Sequence, residues 1–350
     1  MTGSHVQNAG HVGEGWRPDS LRSLSSGSST NIHILTIDYR GFGRSTGDPS
    51  EAGLIADGIA AVNWAIDVAK IPPSRIVLLG QSLGTAVASA VALHFASGPV
   101  TPETLLPPSN SNDDDKAIMI TRPSAPVDFA GIVLVAPFTT LPHLVLTYRI
   151  KGVLPILSPL RPYPYLQNLL SQYIVDKWDT SARLAELVRI TAGETAKRRL
   201  RLQILHARDD AEIGWKQGEA LFQAAIEAEA QRGLARDEHA RRTGYTPKML
   251  KKGEGCVEIY RSSDDGRGPD GDGDREIRLD VVGHGGKCLI PMISHSCWIA
   301  CSDAFLFFSG SISAFISSFH HHMLIFISPG HNQLVSYAPV SLAMLRAFGI

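Results

Sequence analysis

Apolar and polar positions alternate along this chain at the scale of whole elements rather than single residues. Asn31 to Tyr39, "NIHILTIDY", is a short, nearly continuous apolar run rich in β-branched residues, and Gly41, Gly43 and Gly47 follow it. That pattern predicts a buried strand, a tight loop, and then a helix from about Ser50 to Lys70. "SRIVLLG" followed by the helix formers after Ser82 predicts a second strand and helix, and Phe129 to Phe138, "FAGIVLVAPF", a third strand. Further on, Arg199 to Asp210 returns to strand character, a helix is expected around Lys216 to Arg232, and Arg275 to Gly283 reads as the last strand. "NQLVSYAPVSLAMLRAF" then forms a closing helix. Apolar strands alternating with helices imply an α/β fold whose mostly parallel sheet is covered on both faces.

Two regions break the pattern. Residues 139 to 195 are apolar, proline-broken and without strand alternation, which predicts a helical cap inserted over one end of the sheet of a single domain spanning residues 1 to 350. Residues 287 to 329 hold Cys288, Cys297 and Cys301, three of the four cysteines, and almost no charge. Ala304 to Ser328 is long enough to cross a bilayer, which takes about 20 apolar residues, yet its six serines and three histidines make it a poor span. This stretch is read as an anomalous apolar insertion, such as translated intron, between Gly286 and Gly330. Ser109 to Lys116 and Arg261 to Glu276 are acidic or glycine-rich and read as solvated loops.

Charge narrows the function. With 33 basic and 34 acidic residues, no net field draws the chain to nucleic acid or to an anionic surface. Sparse cysteines and no charged-then-apolar leader point to a reducing, intracellular setting. The polar, turn-rich front, "MTGSHVQNAGHVGEGWRP", is unusual for a domain expected to begin with strands, so the N-terminal strands are expected to be missing.

The chemistry centres on Gly80-Gln81-Ser82-Leu83-Gly84. Gly-x-Ser-x-Gly between a buried strand and a helix holds the serine in a strained turn with its hydroxyl above the sheet edge. Such a hydroxyl needs a base and an acid from later in the chain. Asp209 and Asp210 close the strand "LQILHARDD"; Asp210, with Ile213 three positions on, is the preferred acid, and Asp209 the alternative. His331 in "SPGHNQLV" precedes the last helix, and His284 in "VVGHGG" follows the expected last strand. His331 is the preferred base, for its place at the mouth of the closing helix. Removing residues 287 to 329 would make the two histidines near neighbours. His320, His321 and His322 read as a run with no partner, and His295, Cys297 and Cys301 match no standard zinc spacing. No metal is expected.

"NAGHVGEGWRP", "LTIDYRGFGRSTG", "IVLLGQSLGTAVA", "GIVLVAPF", "DKWDT", "ILHARDD" and "GHNQLVSYAPV", in this order, resemble the α/β-hydrolase superfamily. The likeness is nearest to the lysophospholipase and monoacylglycerol-lipase-like serine hydrolases of the α/β-hydrolase domain-containing protein twelve type, particularly fungal ones. It implies Ser82 as nucleophile, Asp210 as acid, His331 as base, and an oxyanion hole built from the backbone N–H groups of Leu83 and Asn8. The His-Gly pair expected just before Asn8 is missing. The implied activity is hydrolysis of carboxylic esters of lipids, without a cofactor, with membrane association common in the family. Protein depalmitoylation, or a catalytically defective hydrolase fold caused by the altered oxyanion motif and the 287 to 329 stretch, are the alternatives. Oligomeric state is left open.

Overall fold

A computed structural model of the chain describes residues 17–25, 31–100, 102, 104–105, 120–147, 149–150, 154–155, 163, 165, 174–192, 198–210, 212–236, 248–252, 255–261, 275–283, 322–327 and 338–348. Eight strands form one sheet in the order β1 (Ile32–Thr36), β10 (His322–Ile327), β2 (Ile76–Gln81), β3 (Gly131–Val135), β6 (Leu200–Ala207), β9 (Arg275–Val282), β8 (Gly255–Arg261), β7 (Lys248–Lys252). The first six run parallel, and β8 and β7 form an antiparallel hairpin at one edge. Parallel neighbours need crossovers. Helices α2 (Glu51–Asn63), α3 (Leu83–Ser97), α5 (Thr180–Ala192) and α6 (Lys216–Arg236) supply them.

Because side chains along a strand point alternately to opposite faces, an apolar run builds two cores at once. Ile76, Leu78, Ile132, Leu134, Leu202 and Ile204 pack with α2, α3, α5 and α6 on one face. Val77, Leu79, Val133, Val135, Leu205 and Ala207 pack on the other with Leu24 of α1 (Arg17–Ser25) and with α7 (Ala338–Phe348). Helix α2 starts where Ser50 accepts a hydrogen bond from the Gly53 N–H at 3.2 Å, an N-cap. It then buries Leu54, Ile55, Ile59 and Val62 along one stripe. A π-turn, Trp64–Val68, closes it, so the expected helix reaches its predicted length in two conformations.

Three expectations change. Residues 139 to 195 are not helical throughout: between α4 (Leu141–Thr147) and α5 lie two short antiparallel strands, β4 (Arg149–Ile150) and β5 (Leu154–Pro155). The β7–β8 hairpin was unforeseen, since "KMLKK" and "GCVEIYR" lack a continuous apolar run. Most important, the stretch expected to be foreign to the domain supplies β10, which lies inside the sheet between β1 and β2, so Arg275–Val282 is not the last strand. "MLIFI" has the composition of a central strand, and Met323 and Ile325 are buried at 3% and 2% exposure. His322 begins that strand, level with Ile32. The rest of 287 to 329, like the loop at 109 to 116, lies outside the described residues.

If β10 is core, Ile325→Ala removes buried methyl groups and lowers unfolding free energy by about 2 to 5 kcal/mol. Urea denaturation measures it, and a change below about 0.5 kcal/mol, typical of surface sites, would contradict the placement.

Candidate active site

Ser82 lies in the turn from β2 to α3 with φ 51° and ψ −123°. A non-glycine residue in that region costs about 1 to 3 kcal/mol, so its surroundings must impose it. They do so from both sides. The Ser82 N–H donates to the Val135 carbonyl of β3 at 3.0 Å, while the Ser82 carbonyl accepts from the Thr85 N–H at 2.9 Å and the Thr85 hydroxyl at 2.6 Å. Gly80 makes the turn possible: a Cβ there would sit 2.5 Å from the Gly84 carbonyl oxygen and 2.8 Å from Thr85 Cα. The half-buried Ser82 thus stands at the carboxyl edge of the sheet. Leu83, the first residue of α3, offers a backbone N–H with no intrahelical acceptor, at the positive end of the helix dipole.

Asp210 stands at the same edge. Gln81 is level with Val135, and Val135 with Leu205, so β2 ends level with Leu205 while β6 runs on to Ala207, with β3 between them; the two strands lie about 10 Å apart at two strand spacings. The chain leaves β6 in a turn organised by the Asp210 carboxylate, whose Oδ1 accepts from the Glu212 and Ile213 N–H groups, both at 3.0 Å. Asp209 is exposed. The Asp210 carboxylate is oriented by this turn.

Beneath this turn lies His206, fully buried at the end of β6. Its Nε2 donates to the Ile213 carbonyl at 2.8 Å and lies 3.6 Å from Asp210 Oδ2. Its Nδ1 is buried without a partner. Burial pushes the pKa of His206 below its ordinary 6.5, against the opposing pull of Asp210 and of the Ile213 carbonyl. Because a carbonyl only accepts, Nε2 carries a proton.

The chain after β3 and the chain entering α5 are tied to each other. Leu141 N–H donates to the Lys177 carbonyl at 2.8 Å and Ser181 N–H to the Thr139 carbonyl at 3.2 Å. Gln217 Oε1 accepts from the Thr139 N–H and hydroxyl at 3.1 and 2.7 Å, and Gln217 Nε2 donates to His143 Nδ1 at 3.2 Å. A buried ion pair joins Glu51 at the start of α2 to Arg183 of α5. Glu51 also accepts from the Trp178 N–H at 2.9 Å, its own N–H donates to Asp176 at 3.1 Å, and Arg183 Nε donates to the Thr104 carbonyl at 3.0 Å.

Ser82, Leu83 and Asp210 are therefore placed at one edge, whereas Asn8, His284 and His331 lie outside the described residues. Among the described residues, no cluster of three His, Cys, Asp or Glu side chains suits a metal ion, and no helix is long and apolar enough to cross a membrane. His206, Glu51 and Arg183 escaped the sequence reading. "DKWDT" was recognised as a motif but gave no sign of its partner at position 51.

Residues 8 to 247 match the Alpha/beta hydrolase family. The human protein ABHD12B is 30% identical over 222 residues, 63% of this chain and 48% of that protein. Protein bem46 of Schizosaccharomyces pombe is 44% identical over 64 residues, 18% of this chain and 21% of its own. The chain thus spans about half the length of the human relative and less of the yeast one. Among solved structures, an alpha-beta hydrolase from Vibrio vulnificus matches with a TM-score of 0.32 and 18% identity, covering 57% of this chain and 51% of its own.

Two outcomes follow from this geometry. Gly80→Ala should lower stability by about 1 to 3 kcal/mol, the usual cost of overpacking, and an unchanged urea midpoint would contradict the close approach. His206 and His94 both have pKa values lowered chiefly by burial, so their contribution to stability is complete above about pH 6.5 and is lost as pH falls below it. Urea midpoints at pH 7.5 and 5.5 should show this loss, with a shallower one in His206→Gln; equal slopes in both proteins would contradict it.

Proposed function

The chain belongs to the alpha/beta hydrolase family, and from that premise we propose that it is a serine hydrolase cleaving carboxylic esters of lipids, of the monoacylglycerol or lysophospholipid type. The observation that carries this reading is the strained Ser82, held at φ 51° between β2 and α3 at the sheet's carboxyl edge. A serine fixed there has its hydroxyl presented before substrate arrives, so orientation is not purchased at each turnover.

The proposed reaction has two steps. Ser82 Oγ attacks the ester carbonyl while His331 takes its proton, and Asp210 orients the imidazole and stabilises its charged form. The negative oxygen of the tetrahedral intermediate is received by the Leu83 N–H and a second N–H assigned to Asn8. The alcohol leaves with the proton from His331, and water, activated by the same histidine, releases the fatty acid. Support for His331 comes from topology: β10 ends at Ile327, level with Gly80 of its neighbour β2, and four residues reach at most about 14 Å. His284 follows β9, which adjoins β6 rather than β2. Support for a lipid comes from the apolar residues of the cap sequence, including Leu141, Leu144, Leu146, Leu154, Ile156 and Leu157.

Hydrolysis of a monoacylglycerol and of 4-nitrophenyl butyrate tests the proposal. Ser82→Ala and His331→Ala should each lower kcat by about 10⁴-fold or more, Asp210→Asn somewhat less, and His284→Ala little. Retained turnover in Ser82→Ala would refute the reading, and loss in His284→Ala but not His331→Ala would move the base.

A further inference from the structure

We propose that His206 is a positioning residue for Asp210, holding the acid's turn so that the carboxylate faces the reaction rather than solvent. The inference rests on the reading of Asp210 as the acid and adds a residue that this reading does not require.

Four observations carry it. The imidazole is wholly buried at the end of β6, where an apolar side chain would satisfy the core without leaving a polar atom stranded. Its Nδ1 is stranded there, at a cost of about 1 to 3 kcal/mol for an unsatisfied buried group. The bond that Nε2 makes goes to the carbonyl of Ile213, the same residue whose N–H grips Asp210 Oδ1. The ring is thus linked to the carboxylate through the backbone of one residue, Ile213. Finally, Nε2 is 3.6 Å from Asp210 Oδ2, beyond hydrogen-bond length, so the ring backs this oxygen without holding it. Gly218 of α6 leaves room for the arrangement, since a Cβ there would lie 2.9 Å from His206 Nδ1.

Displacing the ring frees Ile213 and lets the Asp210 carboxylate drift. A misplacement of about 1 Å can cost about 100-fold in rate. A carboxylate further from the base also stabilises the imidazolium less and lowers the base's pKa.

The full chain is assayed with 4-nitrophenyl butyrate as His206→Leu, which removes the donor at similar volume, and His206→Gln, which restores one at the Nε2 position. Active sites are counted with a fluorophosphonate. His206→Leu should lower kcat per active site about 10- to 100-fold, leave KM within about twofold, and move the acidic limb of the kcat/KM profile to lower pH; His206→Gln should recover most of both. A merely structural role would reduce the number of active sites without moving the limb. An unmoved limb with near-normal kcat per site overturns the proposal, as does recovery absent in His206→Gln. Should His206→Leu fail to unfold cooperatively, Gly218→Ala presses the ring from α6 and must move the limb the same way; no movement overturns the proposal. Wild type without esterase activity removes the proposed function itself along with this inference, whereas an active wild type with an indifferent His206→Leu removes only the inference.

Discussion

One hydrogen bond sets the geometry on which the rest depends: the Ser82 N–H to the Val135 carbonyl, at 3.0 Å. Without it the serine would relax from its unfavourable backbone region, because a bond of this kind is worth about as much as the strain it opposes. It is also the last rung between β2 and β3, one residue beyond the register that pairs Gln81 with Val135. The strain at the turn is therefore carried by the sheet, and the sheet is fixed by an apolar core packed on each face. Ala136, just past the same rung, has φ 49° and donates its N–H to the Leu205 carbonyl at 2.8 Å. Two adjoining strands thus end in left-handed residues locked to a neighbour.

Around this edge, rigidity is distributed by buried polar contacts rather than by more apolar burial. Glu51 and Arg183 are removed from water at 1% and 2% exposure, which is tolerable only because each has further partners among backbone groups. Their pairing joins the start of α2 to α5. Trp178, at φ 48°, is fixed by the same carboxylate. On the other flank, Gln217 ties Thr139 and His143 to α6. The chain at Thr139 and at Trp178 is thus held by polar contacts to α6 and to Glu51.

Much of this was legible in the sequence, for physical reasons that differ from element to element. β2 and β3 are buried on both faces, so nothing interrupts their apolar runs, and the glycines around Ser82 mark a turn that side chains would obstruct. Asp210 is preferred over Asp209 in the sequence because Ile213 three positions on resembles the Asp-x-x-Val/Ile acid turn of hydrolases, while the hydrogen bonds that close that turn show only in the fold. What failed to show was any contact between distant positions. Glu51 and Arg183 are 132 residues apart, and each in isolation reads as a solvated helix charge. His206 looked like one polar letter in a strand, since only the fold reveals that its ring lies under the acid's turn. β10 was hidden by its surroundings: serines and histidines before it made the whole stretch look foreign, and strand propensity over five residues carries little weight against that background.

The central claim is that Ser82 is held as a nucleophile. Intact chain treated with a fluorophosphonate, digested, and mapped by mass spectrometry tests it most directly. The account predicts a single phosphonyl adduct on the Ser82 hydroxyl, abolished when the protein is unfolded before treatment. A folded protein that takes up no adduct, or takes it at another serine while Ser82 stays unmodified, would contradict it.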